Sequence, residues 1–172
     1  IDTSFMYILG ENLTKINLRC NMNISDENLC AIIANDKLES AIIVADGICH
    51  GGKRIGDPFV QRIGKSLKRL SVVHINFLDK MVKNPDISGI GLQVIELYNL
   101  IWLSNPLYCL HIETIKVLNV LFDFRLKYIK PIIGSMVNLE YLHLHNYYSG
   151  TCLKDKYIIN LRKLKYFSGI LW

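Results

Sequence analysis

The sequence predicts an α/β solenoid of about seven repeats, with parallel strands on a concave side and helices or irregular segments on a convex side. A short apolar phrase, L-x-x-L-x-L, returns along the whole chain, and the segments between its copies carry helix signals. Hydrophobic residues make up 51% of the 172 residues. Since one strand and one return segment cannot bury their own apolar side, stacked neighbours must bury it.

The first positions of the phrase set the period. They are Leu13, Leu38, Leu70, Leu92, Ile115, Leu139 and Leu164. The steps between them are 25, 32, 22, 23, 24 and 25 residues, close to the roughly 20 to 29 residues of leucine-rich repeats. Within each strand, the fourth and sixth positions should point into the stack, and the third, fifth and seventh positions should point to solvent.

Two frames fit the fourth repeat. The competing frame, through Val94, Leu97, Leu100, Trp102 and Asn105, places an asparagine at the end of the phrase. It leaves only 18 residues from Leu97 to Ile115. Spacing therefore favours Leu92 as the first position. The alternative to the whole pattern is a generic helix-and-strand domain in which some leucines match by chance.

The return segments carry the signals of helix starts. These are Ser25 before Asp26, Asp57 before Pro58, Pro131, and Asp155 before Tyr157. The apolar residues that follow at helical spacing should face inward. They are Leu29, Ile32 and Ile33; Phe59, Ile63, Leu67 and Leu70; and Ile132, Ile133, Met136 and Val137. Between Leu97 and Ile115, Pro106 favours an extended or irregular loop instead.

Composition limits the classes of function. The net charge of +5 lies in basic clusters on different repeats, which argues against a nucleic-acid interface. No stretch approaches the roughly 18 apolar residues of a membrane span. Five scattered cysteines without a C-x-x-C pair are typical of reduced thiols, so we expect a cytoplasmic location. We interpret residues 1–172 as one domain, cut from a longer chain.

Neither a cofactor nor a metal is predicted, and we expect no enzymatic activity. Gly47 to Lys53 has the G-x-x-x-x-G-K spacing of a phosphate-binding loop, but Arg54 replaces the hydroxyl residue that would hold Mg²⁺. Gly56, Asp57 and Pro58 also prevent a helix from starting there. His143 and His145 share one strand face, yet their spacing is not that of a zinc ligand set.

The outward strand positions predict a surface that binds another protein. From the third repeat onward they mix tyrosine, histidine, asparagine and glutamate, and rigid amphipathic side chains suit protein recognition. The predicted partner-binding residues are His74, Glu96, Tyr98, Asn119, Tyr141, His143 and His145.

The second half of the chain resembles a known family. The runs 112–120 and 133–144, which include I-K-V-L-N-V and I-G-S-M-V-N-L-E-Y-L-H-L, are similar to early repeats of plant nucleotide-binding leucine-rich-repeat immune receptors. Those commonly read L-R-V-L-D-L and I-G-x-L-x-x-L-x-Y-L-x-L. Residues 159–169 resemble the following unit. Lys130-Pro131 stands where the family usually has L-P, and nothing matches the family's nucleotide-binding domain.

The resemblance implies the ligand-sensing or autoinhibitory part of an intracellular receptor. Its partner would be an effector protein or another domain of the same chain. The alternative is the substrate-binding repeat region of an F-box-type ubiquitin ligase receptor. An extracellular receptor would need flanking disulfide caps, which the sequence lacks.

Overall fold

Seven parallel strands form one sheet in a computed structural model. The structure describes residues 12–20, 26–45, 53–55, 63, 66–73, 75–77, 91–100, 112–122, 130–146 and 153–169. Within these ranges the sheet runs in chain order, and every neighbouring pair of strands is parallel. Successive parallel strands joined by return segments make a solenoid, which confirms the architecture that the repeat predicts.

The elements alternate between strands and short return segments. The main sheet contains β1 (Lys15–Cys20), β2 (Ser40–Ala45), β4 (Arg69–Val73), β6 (Val94–Leu100), β7 (Val117–Phe122), β8 (Tyr141–Asn146) and β9 (Tyr166–Ser168). A separate parallel pair joins β3 (Lys53–Ile55) to β5 (Ile75–Phe77), and the repeat pattern did not predict it. Among the described residues, two α-helices, α1 (Asp26–Ile33) and α2 (Lys130–Ile133), and two 3-10 helices, Ile112–Thr114 and Asp155–Tyr157, lie between the strands.

The inward face of the sheet is a continuous aliphatic core. From β2 to β8, the fourth and sixth positions of the phrase are at most 7% exposed. The fourth-position residues are Ala41, Leu70, Ile95, Leu118 and Leu142. The sixth-position residues are Ile43, Val72, Leu97, Val120 and Leu144. The fourth repeat follows the frame that starts at Leu92, which is fully buried. The inward positions predicted for β2, β6, β7 and β8 are thus confirmed.

The third repeat corrects the predicted frame. The register pairs Ala41 with Leu70 and Ile43 with Val72, so these residues occupy the fourth and sixth positions. Leu67, fully buried, is therefore the first position, three residues earlier than predicted. Val72, predicted to face outward, is buried, whereas Val73, predicted to face inward, is at the seventh position. The predicted helical run to Leu70 is also wrong at its end, because β4 starts at Arg69.

A backbone ladder joins each repeat to the next. The carbonyl oxygen at the second position of one repeat accepts hydrogen bonds from the second- and third-position N–H groups of the following repeat. For example, Glu39 O accepts from Lys68 N at 2.8 Å and from Arg69 N at 3.1 Å. The acceptors are Thr14, Glu39, Lys68, Gln93, Lys116 and Glu140. The two junctions that involve the third repeat, at Glu39 and Lys68, follow this pattern only in the corrected frame, so the ladder supports that frame.

The return segments agree with the sequence in part. Helix α1 buries Leu29, Ile32 and Ile33, as predicted. Helix α2 is short; Ile132, Ile133 and Met136 are buried as predicted, but Val137 is 50% exposed. Asp155 lies inside a 3-10 helix whose N-cap is Lys154, so it is not a side-chain cap.

Other predicted features lie partly outside the described residues. The helix start at Asp57 and Pro58 is among them, as is most of the loop around Pro106. In the part of the chain that the structure describes, no helix is long and apolar enough to cross a membrane. The curvature of the solenoid stays a prediction.

Candidate functional site

The outward face of strands β6 to β8 carries most of the predicted partner-binding residues. Glu96 and Tyr98 lie on β6, Asn119 on β7, and Tyr141, His143 and His145 on β8. Since the strands are parallel and in register, residues at one repeat position form rows across the sheet. The fifth-position row runs from Glu96 through Asn119 to His143. His74 lies outside the described residues. The corrected frame places Ser71 at the fifth position of the third repeat, which the predicted frame had given to His74.

A polar network crosses β4, β6 and β7. Arg69 Nη2 lies 2.7 Å from Glu96 Oε2, and its Nε donates to the same oxygen at 3.2 Å. On the next strand, Asn119 Nδ2 donates to the Tyr98 hydroxyl oxygen at 2.7 Å. Glu96 and Tyr98 are two residues apart on one strand and therefore point to the same face. The network fixes side chains that would otherwise be free to rotate.

Burial and charge shape the chemistry of this network. Desolvation raises the pKa of Tyr98, and the negative charge of Glu96 raises it further, whereas Arg69 and the hydrogen bond from Asn119 oppose the rise. The phenol therefore stays protonated well beyond neutral pH. Asn119 Oδ1 is buried and has no hydrogen-bond partner. A buried acceptor without a donor costs roughly 1–3 kcal/mol.

Aromatic and imidazole rings cover the β8–β9 end of the face. Tyr141 and Tyr166 are 46% and 51% exposed, and their ring centroids lie 6.4 Å apart. The rings of His143 and His145 are closer, at 4.0 Å, with an angle of 47° between their planes. Desolvation, and to a smaller degree His145, lowers the pKa of His143. His143 is therefore mostly neutral at pH 7.

Charged residues line the edge of the sheet where the strands begin. Second-position side chains pair across repeats, Lys68 with Glu39 at 3.3 Å and Lys165 with Glu140 at 2.6 Å. The hydrogen bond from Lys165 lowers the pKa of Glu140, and the same bond raises the pKa of Lys165. An open groove of about 390 Å³, lined in part by Gln93 and Lys116, follows this edge.

The sequence reasoning missed Arg69 and gave Tyr166 no role in the site. Arg69 was missed because the slipped frame placed it before the third strand. The even spacing of the other repeats was a usable signal. Starting the third repeat at Leu67 gives steps of 29 and 25 residues in place of 32 and 22. Tyr166 was an outward third-position residue in the predicted frame, and the contact with Tyr141 adds it to the site.

The outward face combines aromatic, imidazole, amide and charged side chains. Among the described residues, no group of three or more His, Cys, Asp or Glu side chains is gathered as a metal-ion cage would require. What the face offers is aromatic area, hydrogen-bonding groups and one ion pair. Fold and face together define a parallel-strand solenoid with a mixed aromatic and polar sheet surface. No protein-family model, curated protein or solved structure matches the chain significantly.

Proposed function

We propose that the chain is a non-catalytic leucine-rich-repeat module that binds a protein through the outward face of β6 to β9. The observation that carries the proposal is the exposed pair Tyr141 and Tyr166 beside the histidine pair. Tyrosine and histidine supply contact area at low cost in side-chain entropy, which favours protein recognition. The seven sequential parallel strands and the 23- to 29-residue steps of the corrected frame support the leucine-rich-repeat class.

The polar network keeps several outward-facing side chains ordered in the unbound protein. Arg69, Glu96, Tyr98 and Asn119 hold one another in place before any partner arrives. Side chains that are already ordered lose less entropy on binding, so more of the contact energy contributes to affinity. A face of this kind is suited to a defined partner.

The module would serve as the sensing or autoinhibitory region of an intracellular plant immune receptor. This part of the proposal rests on the resemblance of residues 112–172 to the early repeats of that family. A ligand that competes for the face would shift such a receptor only through unequal affinity for its two states. The protein partner is an effector or another domain of the same receptor.

The test compares two double variants of the full-length protein in its source cells. Tyr141→Ala with Tyr166→Ala removes the exposed aromatic pair, whereas Val137→Ala with Ile159→Ala removes two exposed apolar side chains from return segments as the matched control. Cross-linked partners are quantified by mass spectrometry, and folding is checked by circular dichroism. We expect the tyrosine variant to lose partners that the control variant still captures. Equal capture by both variants would refute binding through this face.

The same experiment separates the receptor classes. A full-length chain with a nucleotide-binding domain, and capture of an effector or of that domain, would support the immune-receptor proposal. Capture of ubiquitin-ligase subunits would replace it with the F-box-type substrate receptor.

A further inference from the structure

A pair of imidazoles stands on the outward face of β8. His143 occupies the fifth position and His145 the seventh, so both side chains leave the same side of the strand. Their ring centroids are 4.0 Å apart. His145 is exposed and His143 is half-buried. Two ring nitrogens are thus available on one rigid element, with at least one ring open to solvent.

The separation of the rings is close to that of two imidazoles on one metal ion. Zinc–nitrogen bonds of about 2.0–2.1 Å in tetrahedral geometry place two ligand ring centroids roughly 5 Å apart. The observed spacing of 4.0 Å is shorter, and His145 is the exposed member of the pair, whose side chain is the less restricted by packing. A strand fixes the backbone of both ligands, so chelation requires no change in the fold.

The described register neighbours of the pair carry no charge that would repel a cation. The register neighbours are Asn119 and Leu121 on β7 and Ser168 on β9, and none of them carries a positive charge. Lys165, at the edge of the sheet where the strands begin, is already paired with Glu140. Asn119 Oδ1, in the same row as His143, is an acceptor oxygen without a donor.

We propose that His143 and His145 form a two-imidazole chelate for a divalent transition-metal ion, with the other coordination positions left to water or to a donor on a partner. Imidazole suits Zn²⁺, Ni²⁺ and Cu²⁺, and the general order of affinity places Cu²⁺ first. The sequence predicted no metal site because His143 and His145 lack the spacing of a three- or four-ligand set. A two-ligand site needs only the i, i+2 placement and the short distance that the structure adds. The site does not depend on the proposed protein partner.

The test uses the chain alone and zinc chloride as the probe. The imidazole nitrogens are followed by NMR while the ion is titrated, and the affinity is measured by calorimetry. Loss of a residue that merely supports a ligand typically weakens metal binding by about 10–100-fold. His143→Asn and His145→Asn should each weaken binding at this site by about tenfold or more.

Two further variants complete the test. His145→Asp keeps a ligand atom at the exposed position and should retain most of the affinity. His111→Asn, which removes an imidazole elsewhere in the chain, should leave the two shifted histidine signals unchanged. Circular dichroism of each variant confirms that it folds. The proposal is overturned if zinc leaves the signals of His143 and His145 unmoved, or if the folded His145→Asn chain binds zinc as tightly as the original.

Discussion

The two faces of the main sheet follow different rules although they alternate along the same strands. On the inner face, every fourth and sixth position from β2 to β8 is aliphatic and nearly inaccessible. On the outer face, the third-position row changes from Lys15 and Ser40 at one end to Tyr141 and Tyr166 at the other. Close packing restricts the inner face to shape-matched apolar groups, whereas solvent leaves the outer face free to vary. The inner positions therefore contribute most to stability, and the outer positions are free to serve the recognition that we propose.

The largest expected effect is a loss of stability on the inner face. Leu118→Ala removes a fully buried side chain and should lower the free energy of unfolding by about 2–5 kcal/mol. Val117→Ala, its outward-facing neighbour on β7, should cost less than about 1.5 kcal/mol because its side chain is only half-buried. Urea denaturation of the two variants measures the difference. Equal losses of unfolding free energy would contradict the conclusion that the inner positions contribute more to stability than the outer positions.

A smaller effect is expected from the ion pair on the outer face. Arg69 is 47% exposed and Glu96 15%, so solvent screens their 2.7 Å contact. A double-mutant cycle with Arg69→Ala and Glu96→Gln should give a coupling of about 0.2–1 kcal/mol that decreases with added salt. The more exposed pair Lys68 and Glu39, at 3.3 Å, is the matched control and should couple less. A stronger coupling in the control pair would show that burial of Glu96 does not strengthen the contact.

The smallest effect is a shift in one tyrosine titration. Because the charge of Glu96 raises the pKa of Tyr98 and that of Arg69 lowers it, Glu96→Gln should lower this pKa and Arg69→Ala should raise it. NMR of the tyrosine ring carbon next to the hydroxyl, at alkaline pH, measures both shifts, with Tyr98→Phe identifying the signal. Shifts of the same sign in the two variants would mean that the network is not arranged as described.

The sequence predicted the inner face better than the outer face. Apolar residues at fixed spacing report burial directly, so six of the seven repeat frames agree with the structure. The predicted frame of the third repeat was wrong because two overlapping sets of residues fit the phrase. One set is Leu67, Leu70 and Val72, and the other is Leu70, Val73 and Ile75. Only spacing distinguishes them, since both sets are equally apolar. The slip changed the assigned face of Val72 and removed Arg69 from the predicted site.

Contacts on the outer face could not be derived from the repeat. The phrase places Tyr98 and Asn119 on one face, but their hydrogen bond depends on side-chain rotamers and on register across strands. The burial of Ser71 likewise depends on neighbours from adjacent repeats, since it is a fifth-position residue that is only 4% exposed. The β3–β5 pair was missed because three-residue strands are too short to show a period.

The backbone ladder gives each of the six described junctions between repeats the same pair of hydrogen bonds. Six carbonyls each accept two N–H groups from the next repeat, and this junction uses no side chain. Second positions accordingly range from threonine to glutamate, lysine and glutamine. Proline has no N–H and is therefore barred from the donating positions. None of the four prolines in the sequence, at 58, 85, 106 and 131, falls at one of them. A unit duplicated or deleted as a whole would meet its new neighbour with the same backbone hydrogen bonds, so this part of the junction does not restrict changes in the number of repeats.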